Sequence, residues 1–171
     1  GHIGVSLLNG SSNVFYNCGS IAFLEKKLQM EAGGSLNYAK TVFYNPSEDY
    51  TAYTTKPLSN SGYLYGTSQL KPWLAVGVGY YQGAGTRTNW ENKWKGRFLV
   101  QDYKQTSSAL QPTLAVRISK SLGIGLGLNI SHLNYLLIQD LSINSQTQSR
   151  STVTYKTTSN TLGLTAGLFL K

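Results

Sequence analysis

The chain has 171 residues and a net charge of +8, yet only 13% of its residues are charged, about half the share of an ordinary soluble domain. No apolar run approaches the roughly 18 residues of a membrane helix, and the lone Cys18 rules out an intramolecular disulfide framework. The fifteen Lys and Arg are scattered, often at predicted strand ends, and form no patch interleaved with aromatics, so nucleic acid is not an expected partner.

The opening segment, Gly1–Phe23, holds no clean period of two. Its small residues and its apolar positions, among them Ile3, Val5, Val14 and Ile21, predict a turn or two of helix packed inside something larger. The chain does not begin with Met, as expected of a mature or trimmed product.

From Leu28 a strand pattern begins: Leu28, Met30, Ala32, Leu36 and Tyr38 share one face, with Gln29, Glu31, Ser35 and Asn37 on the other. Thr41–Asn60 reads as a loop, then Gly62–Leu70 as a second strand. After a tight Lys71-Pro72 turn, Leu74, Val76, Val78 and Tyr80 set a third strand. Its period degrades at Gln82-Gly83-Ala84-Gly85, and glycines inside a strand mark bulges or bends. Thr86–Arg97, with Trp90 and Trp94, reads as another loop.

A hairpin follows, Ala109–Ile118 and Leu122–Leu133, around Ser119-Lys120-Ser121. In its second strand Leu122, Ile124, Leu126, Leu128 and Ile130 alternate without a miss with Gly123, Gly125, Gly127, Asn129 and Ser131. Pro112 removes a ladder donor and predicts a local bulge. Asp140–Ser159 reads as a third loop, and Leu162–Leu170 as a sixth strand.

The faces opposite the aliphatic stripes carry Gly, Ser, Thr, Asn and Ala rather than charge, which suits an enclosed lumen better than open solvent. Stripes of about ten residues span a bilayer as tilted strands, and only helices and closed barrels satisfy their backbones in lipid. Alternating long and short connections agree, with the short turns periplasmic. The expected class is therefore all-β: a transmembrane antiparallel barrel with an N-terminal hatch over 1–27 and wall strands over 28–171. Six strands fall short of the roughly eight of the smallest barrels, so the wall is expected to be incomplete here.

No enzyme is expected. Ser131 and His132 are neighbours on one strand and point to opposite faces. Gly123–Gly127 is period-two spacing, not a phosphate loop. No metal-ligand spacing occurs, and neither a metal nor a cofactor is expected.

The run Asn13-Val14-Phe15-Tyr16-Asn17-Cys18-Gly19-Ser20-Ile21-Ala22-Phe23-Leu24 resembles the hatch of the FadL/TodX-type outer-membrane transporters. A second run, from Thr88 through Gly127, is similar to the Trp-rich loop, Gly-Arg-aromatic step, tight turn and Gly-rich strand of that family. The resemblance implies a passive importer of long-chain fatty acids or aromatic hydrocarbons in the bacterial outer membrane. Its partners would be a hydrophobic small molecule (fatty acid, detergent or hydrocarbon) and outer-membrane lipid, the complete barrel being monomeric. The alternative is a barrel of the same kind acting as a scaffold in a secretion or cell-surface complex.

Three sets of residues carry the implied function. Asn17, Cys18 and Gly19 match the hatch motif, with Cys18 where the family has Pro, so the φ restraint is lost. Tyr81, Gln82, Gly83, Ala84 and Gly85 match a strand kink that serves as the lateral exit. Trp90, Trp94, Arg97, Phe98 and Leu99 match a substrate-capture groove, although the tryptophans also suit headgroup-level anchors. Arg97 is expected to pair with a loop carboxylate such as Glu91 or Asp102, or to hold a substrate carboxylate.

Overall fold

The computed structural model describes residues 10–83, 85–91, 93–144 and 149–171. Among the described residues nine strands run in chain order as β1 Leu28–Tyr38, β2 Val42–Asn45, β3 Tyr50–Tyr53, β4 Leu58–Lys71, β5 Leu74–Gln82, β6 Thr86–Asn89, β7 Asp102–Arg117, β8 Leu122–Asn144 and β9 Ser149–Leu170. A short helix α1, Asn13–Tyr16, and a 3-10 turn, Cys18–Phe23, precede them.

The main sheet is antiparallel and meandering, in the order β1-β4-β5-β7-β8-β9, with β6 on β7. The six strands expected from the alternation are all present there. Pairings such as Gly66↔Val78, Val78↔Pro112, Leu114↔Leu126 and Leu126↔Ala166 keep even-numbered positions on one face through β4, β5, β7, β8 and β9, while β6 pairs with β7 one position out of that phase. That face is bare: Leu114 is 49% exposed, Leu126 62% and Leu164 87%. The odd-numbered face carries the packing, against the N-terminal segment. Aliphatic rows that face outward while glycines face a plug are the arrangement of a membrane barrel wall, not of a sandwich core. Within the described residues β1 and β9 each pair on one side only, so the wall is an arc of a barrel.

The loops depart from the reading of the sequence. Thr41–Asn60 contains the β2–β3 hairpin. Thr86–Arg97 contains β6, and a 3-10 turn, Lys95–Phe98, runs past its end. Asp140–Ser159 is mostly ladder, with β8 reaching Asn144 and β9 starting at Ser149. Beyond the lipid both faces of a strand meet water, so apolar alternation ends while backbone pairing continues; Thr-rich runs favour that state.

Pro112 does not make a bulge. The β7–β8 ladder runs to Leu110↔Ile130 and resumes at Thr113↔Gly127 in the same register. Pro112 keeps its place opposite Val78 on the other side. The missing donor costs pairing at two positions without shifting the strand.

Candidate functional site

The hatch is the core of this structure. Val14, Cys18 and Ile21 are fully buried, together with the polar Asn13 and Ser20. Inside the hatch Asn13 Nδ2 donates to Ser20 Oγ at 2.7 Å. The turn at Asn17-Cys18-Gly19 closes through the Asn17 side chain, whose Oδ1 accepts from the Gly19 amide at 3.1 Å. Asn17 Nδ2 donates to the Leu168 carbonyl of β9 at 3.0 Å. An Asx turn thus supplies the restraint that a proline would otherwise give. Burial pushes the Cys18 thiol up, so at neutral pH it is a small neutral hydrophobe.

Glycine makes the seat beneath that turn. A methyl on Gly125 would stand 2.4 Å from the Cys18 carbonyl carbon, and one on Gly167 would stand 2.5 Å from Asn17 Oδ1. No side chain fits either place, so the alternate glycines of β8 and β9 let the hatch backbone lie directly on the wall.

Polar clamps tie the hatch around the whole arc. Ser12 donates its amide to Glu31 of β1 at 3.0 Å, and Ser11 and Thr67 of β4 bond through their hydroxyls. Gln111 of β7 donates Nε2 to the Val14 carbonyl at 2.7 Å. Arg117 donates from Nε and Nη2 to the Ala22 carbonyl and lies 4.5 Å from the Phe23 ring centre. Neither Gln111 nor Arg117 stands out in the sequence. Both sit at inward positions otherwise filled by small residues, and that contrast is the signal that would have found them.

The wall opens beside the end of β5. Pairing of β5 with β7 runs to Gln82↔Ser108, and the Gly83 amide still donates to the Ser107 carbonyl at 3.0 Å. It resumes at Thr86↔Gln105, so the three residues 83–85 on one side answer the two residues 106–107 on the other. Gly85 takes a left-handed φ of 52°, which favours glycine. Ala84 lies outside the described residues. On the other side, β4 pairs with β5 only as far as Gly62↔Gln82, while β4 itself continues outward to Leu58, held by β1 alone. Residues 58–61 therefore face β6 across a cleft of about 200 Å³, lined by Leu58, Asn60, Gln82, Thr86 and Arg87 among others. Tyr63, Tyr81 and the hatch rings Phe15 and Tyr16 lie on the inner side of this opening, with Phe15 5.0 Å from Tyr81.

The long loops build a second small core. Trp90 stacks on Trp94 with ring centres 4.2 Å apart, and both are buried with Ala52 of β3. Trp94 Nε1 donates to the Val100 carbonyl at 2.8 Å. These tryptophans face neither lipid nor an open groove; they join the β2–β3 hairpin to the segment after β6. Phe98 and Leu99 are the exposed members of the set, at 38% and 78%. Arg97 does not pair with Glu91 or Asp102. It reaches Asp140 of β8 at 3.4 Å, while Asp102 pairs with Arg87 at 3.4 Å. The register of the long β8 strand, hidden in what reads as a loop, brings Asp140 there.

Among the described residues no group of three or more His, Cys, Asp and Glu side chains is placed to hold a metal. No helix of the described residues is long and apolar enough to cross a membrane.

An antiparallel wall with a bare aliphatic outer face, a small-residue inner face and a docked plug defines a plugged outer-membrane β-barrel. The family described as outer membrane protein transport protein (OMPP1/FadL/TodX) matches residues 4–167, and the chain belongs to it. Among solved structures it is similar to the crystal structure of a Pseudomonas aeruginosa FadL homologue, with a TM-score of 0.72 and 18% identity. That match covers 98% of this chain and 46% of the homologue, so the chain spans about half the length of its relative. No curated protein matches the chain.

Proposed function

We propose that the chain forms the hatch (1–27) and the first wall strands (28–171) of a channel that takes up hydrophobic molecules passively. Long-chain fatty acids or aromatic hydrocarbons are the substrates this reading favours. A molecule would settle first on the exposed Phe98 and Leu99, beside Arg97, on a platform that Trp90 and Trp94 hold rigid from beneath. It would pass the inward rings Tyr63, Tyr81 and Phe15 and leave sideways through the cleft at Tyr81-Gln82-Gly83-Ala84-Gly85. Asn17, Cys18 and Gly19 would keep the hatch shut against flow along the barrel axis.

The supporting observation is the unpaired edge of β4 at 58–61, opposite the bulge between Gln82 and Thr86. An unpaired strand edge is exceptional in a wall whose strands are otherwise paired, so such a break needs a reason. An apolar molecule crossing there would pass aromatic rings inside and enter the leaflet at headgroup depth, beside Lys104 and Thr106, with the acyl chains just below.

The test is uptake of a labelled fatty acid by cells carrying the full-length protein or its Gly83→Ala/Gly85→Ala variant. Both added methyls would press on β7, at 2.9 Å from Ser107 Oγ and from the Gln105 carbonyl respectively. The bend should straighten and uptake should fall severalfold, with the barrel still folded. Unchanged uptake would discard this exit, and wild-type uptake no higher than that of cells lacking the protein would favour the scaffold reading.

A further inference from the structure

Beside the cleft of the uptake reading, the outward face carries two lysines that this reading leaves unused. Lys104, Leu136 and Lys156 stand in one row across β7, β8 and β9, since Leu136 is the partner of both lysines. With strands spaced about 4.8 Å apart, the two lysine Cα atoms are about 10 Å apart. Lys104 and Thr106 line three adjoining clefts of about 280, 260 and 200 Å³, and Lys156 lines the first of them. Among the described residues neither lysine has a carboxylate within ion-pair reach. The nearby Asp102 and Asp140 are matched by Arg87 and Arg97 instead. The row therefore presents two uncompensated positive charges.

Lower on the same three strands, the outward face holds an apolar groove of about 690 Å³ lined by Leu114, Leu126, Leu128, Leu164 and Ala166 among others. From Leu128 to Leu136 is eight residues, about 27 Å along the strand. At the usual strand tilt that is about 20 Å along the membrane normal, the depth of one leaflet with its headgroups.

We propose that this part of the wall binds a phosphorylated lipid of the external leaflet. Its acyl chain lies in the groove, and its phosphate sits between Lys104 and Lys156, with the Thr106 hydroxyl and the exposed Asn134 amide as further donors. Two lysines whose Cα atoms stand about 10 Å apart suit a doubly charged or twice-phosphorylated headgroup, whereas a single carboxylate would satisfy only one of them. The alternative is that the lysines are ordinary interfacial anchors with no preference among headgroups. The inference is independent of whether the barrel transports anything.

Native mass spectrometry of the full-length barrel in uncharged detergent separates these cases. The probes are lipid A (a phosphorylated glucosamine lipid), the same lipid stripped of its phosphates, and inorganic phosphate as competitor. The Lys104→Gln/Lys156→Gln variant should bind lipid A roughly tenfold more weakly, while Lys104→Arg/Lys156→Arg should retain it. The stripped lipid should bind weakly and equally to all three proteins, and inorganic phosphate should not displace lipid A. Circular dichroism checks that each variant keeps its sheet. Lipid A binding by the Gln variant as tight as by the wild type, or wild-type binding of the stripped lipid as tight as of lipid A, would overturn the proposal and leave plain anchors. Displacement by inorganic phosphate would overturn it in favour of an ion site.

Discussion

Gln111, at an inward position of β7, donates its side-chain amide to the Val14 carbonyl of the hatch helix at 2.7 Å, inside the packed interior. The same side chain offers Oε1 to Asn129 Nδ2 at 3.4 Å, and Asn129 Nδ2 also reaches the Tyr81 hydroxyl. One buried amide thus joins the plug to the strand that ends at the lateral gap.

Replacing Gln111 by Leu leaves the Val14 carbonyl buried without a donor. An unsatisfied group of that kind costs about 1–3 kcal/mol. The expected outcome is a hatch that opens more often while the wall stays folded. Maleimide labelling of Cys18, fully buried in the closed state, should speed up about fivefold or more in Gln111→Leu, a conversion of about 1 kcal/mol.

The pH dependence of that labelling has a definite sign. Burial raises the Cys18 pKa, so in the closed hatch the thiolate fraction at pH 8 is below that of an ordinary exposed cysteine. Below the ordinary thiol range both folded and unfolded chains hold the proton, and the closed hatch has its full stability. As pH rises through the range the unfolded chain ionises first, and that stability declines until the folded thiol also ionises. Hydrogen exchange of the Cys18–Phe23 amides should therefore show a less protected hatch at alkaline pH, after correction for intrinsic exchange rates.

The glycine seat gives a paired test. Gly125→Ala drives a methyl into the hatch backbone, and overpacking of this order costs about 1–3 kcal/mol. Gly163→Ala, on the same inward face of β9, meets nothing nearer than Asn129 Cβ at 3.7 Å and should be close to neutral. Urea unfolding in detergent should separate the two. Equal effects would mean that the hatch does not rest on β8.

Much of this architecture is legible in the chain. The alternation from Leu122 to Ile130 fixes both the strand and its outward face, and the failure of period at Gln82–Gly85 marks where pairing with β4 stops and the register on β7 shifts. The long external extensions of β8 and β9 are not legible, because Ser, Thr and Gln runs that meet water on both sides carry no apolar period. The hatch clamps are hidden for another reason: Gln111 and Arg117 act through backbone carbonyls far away in sequence, and no local spacing encodes such pairs.

Inside and outside can be checked with charge. Leu126→Arg places a cation on the lipid face near mid-depth and should cost about 2–4 kcal/mol, whereas Leu136→Arg in the headgroup zone should cost about 0–1 kcal/mol. Folding yields into liposomes give the ranking.

The loop core is separable from the wall. Trp90→Ala removes a buried ring stacked on Trp94 and should cost about 3–5 kcal/mol of local stability. Limited proteolysis should then cut between β2 and β3 while β7 to β9 stay protected.

The most direct measurement closes the cleft between β4 and β6. Asn60→Cys and Thr86→Cys place thiols on its two sides, and a disulfide between them, confirmed by mass, would staple the wall. With the staple formed, uptake of labelled fatty acid should fall to the level of cells lacking the protein, and reduction should restore it. Wild-type uptake through a fully oxidised staple would contradict a lateral route at this seam.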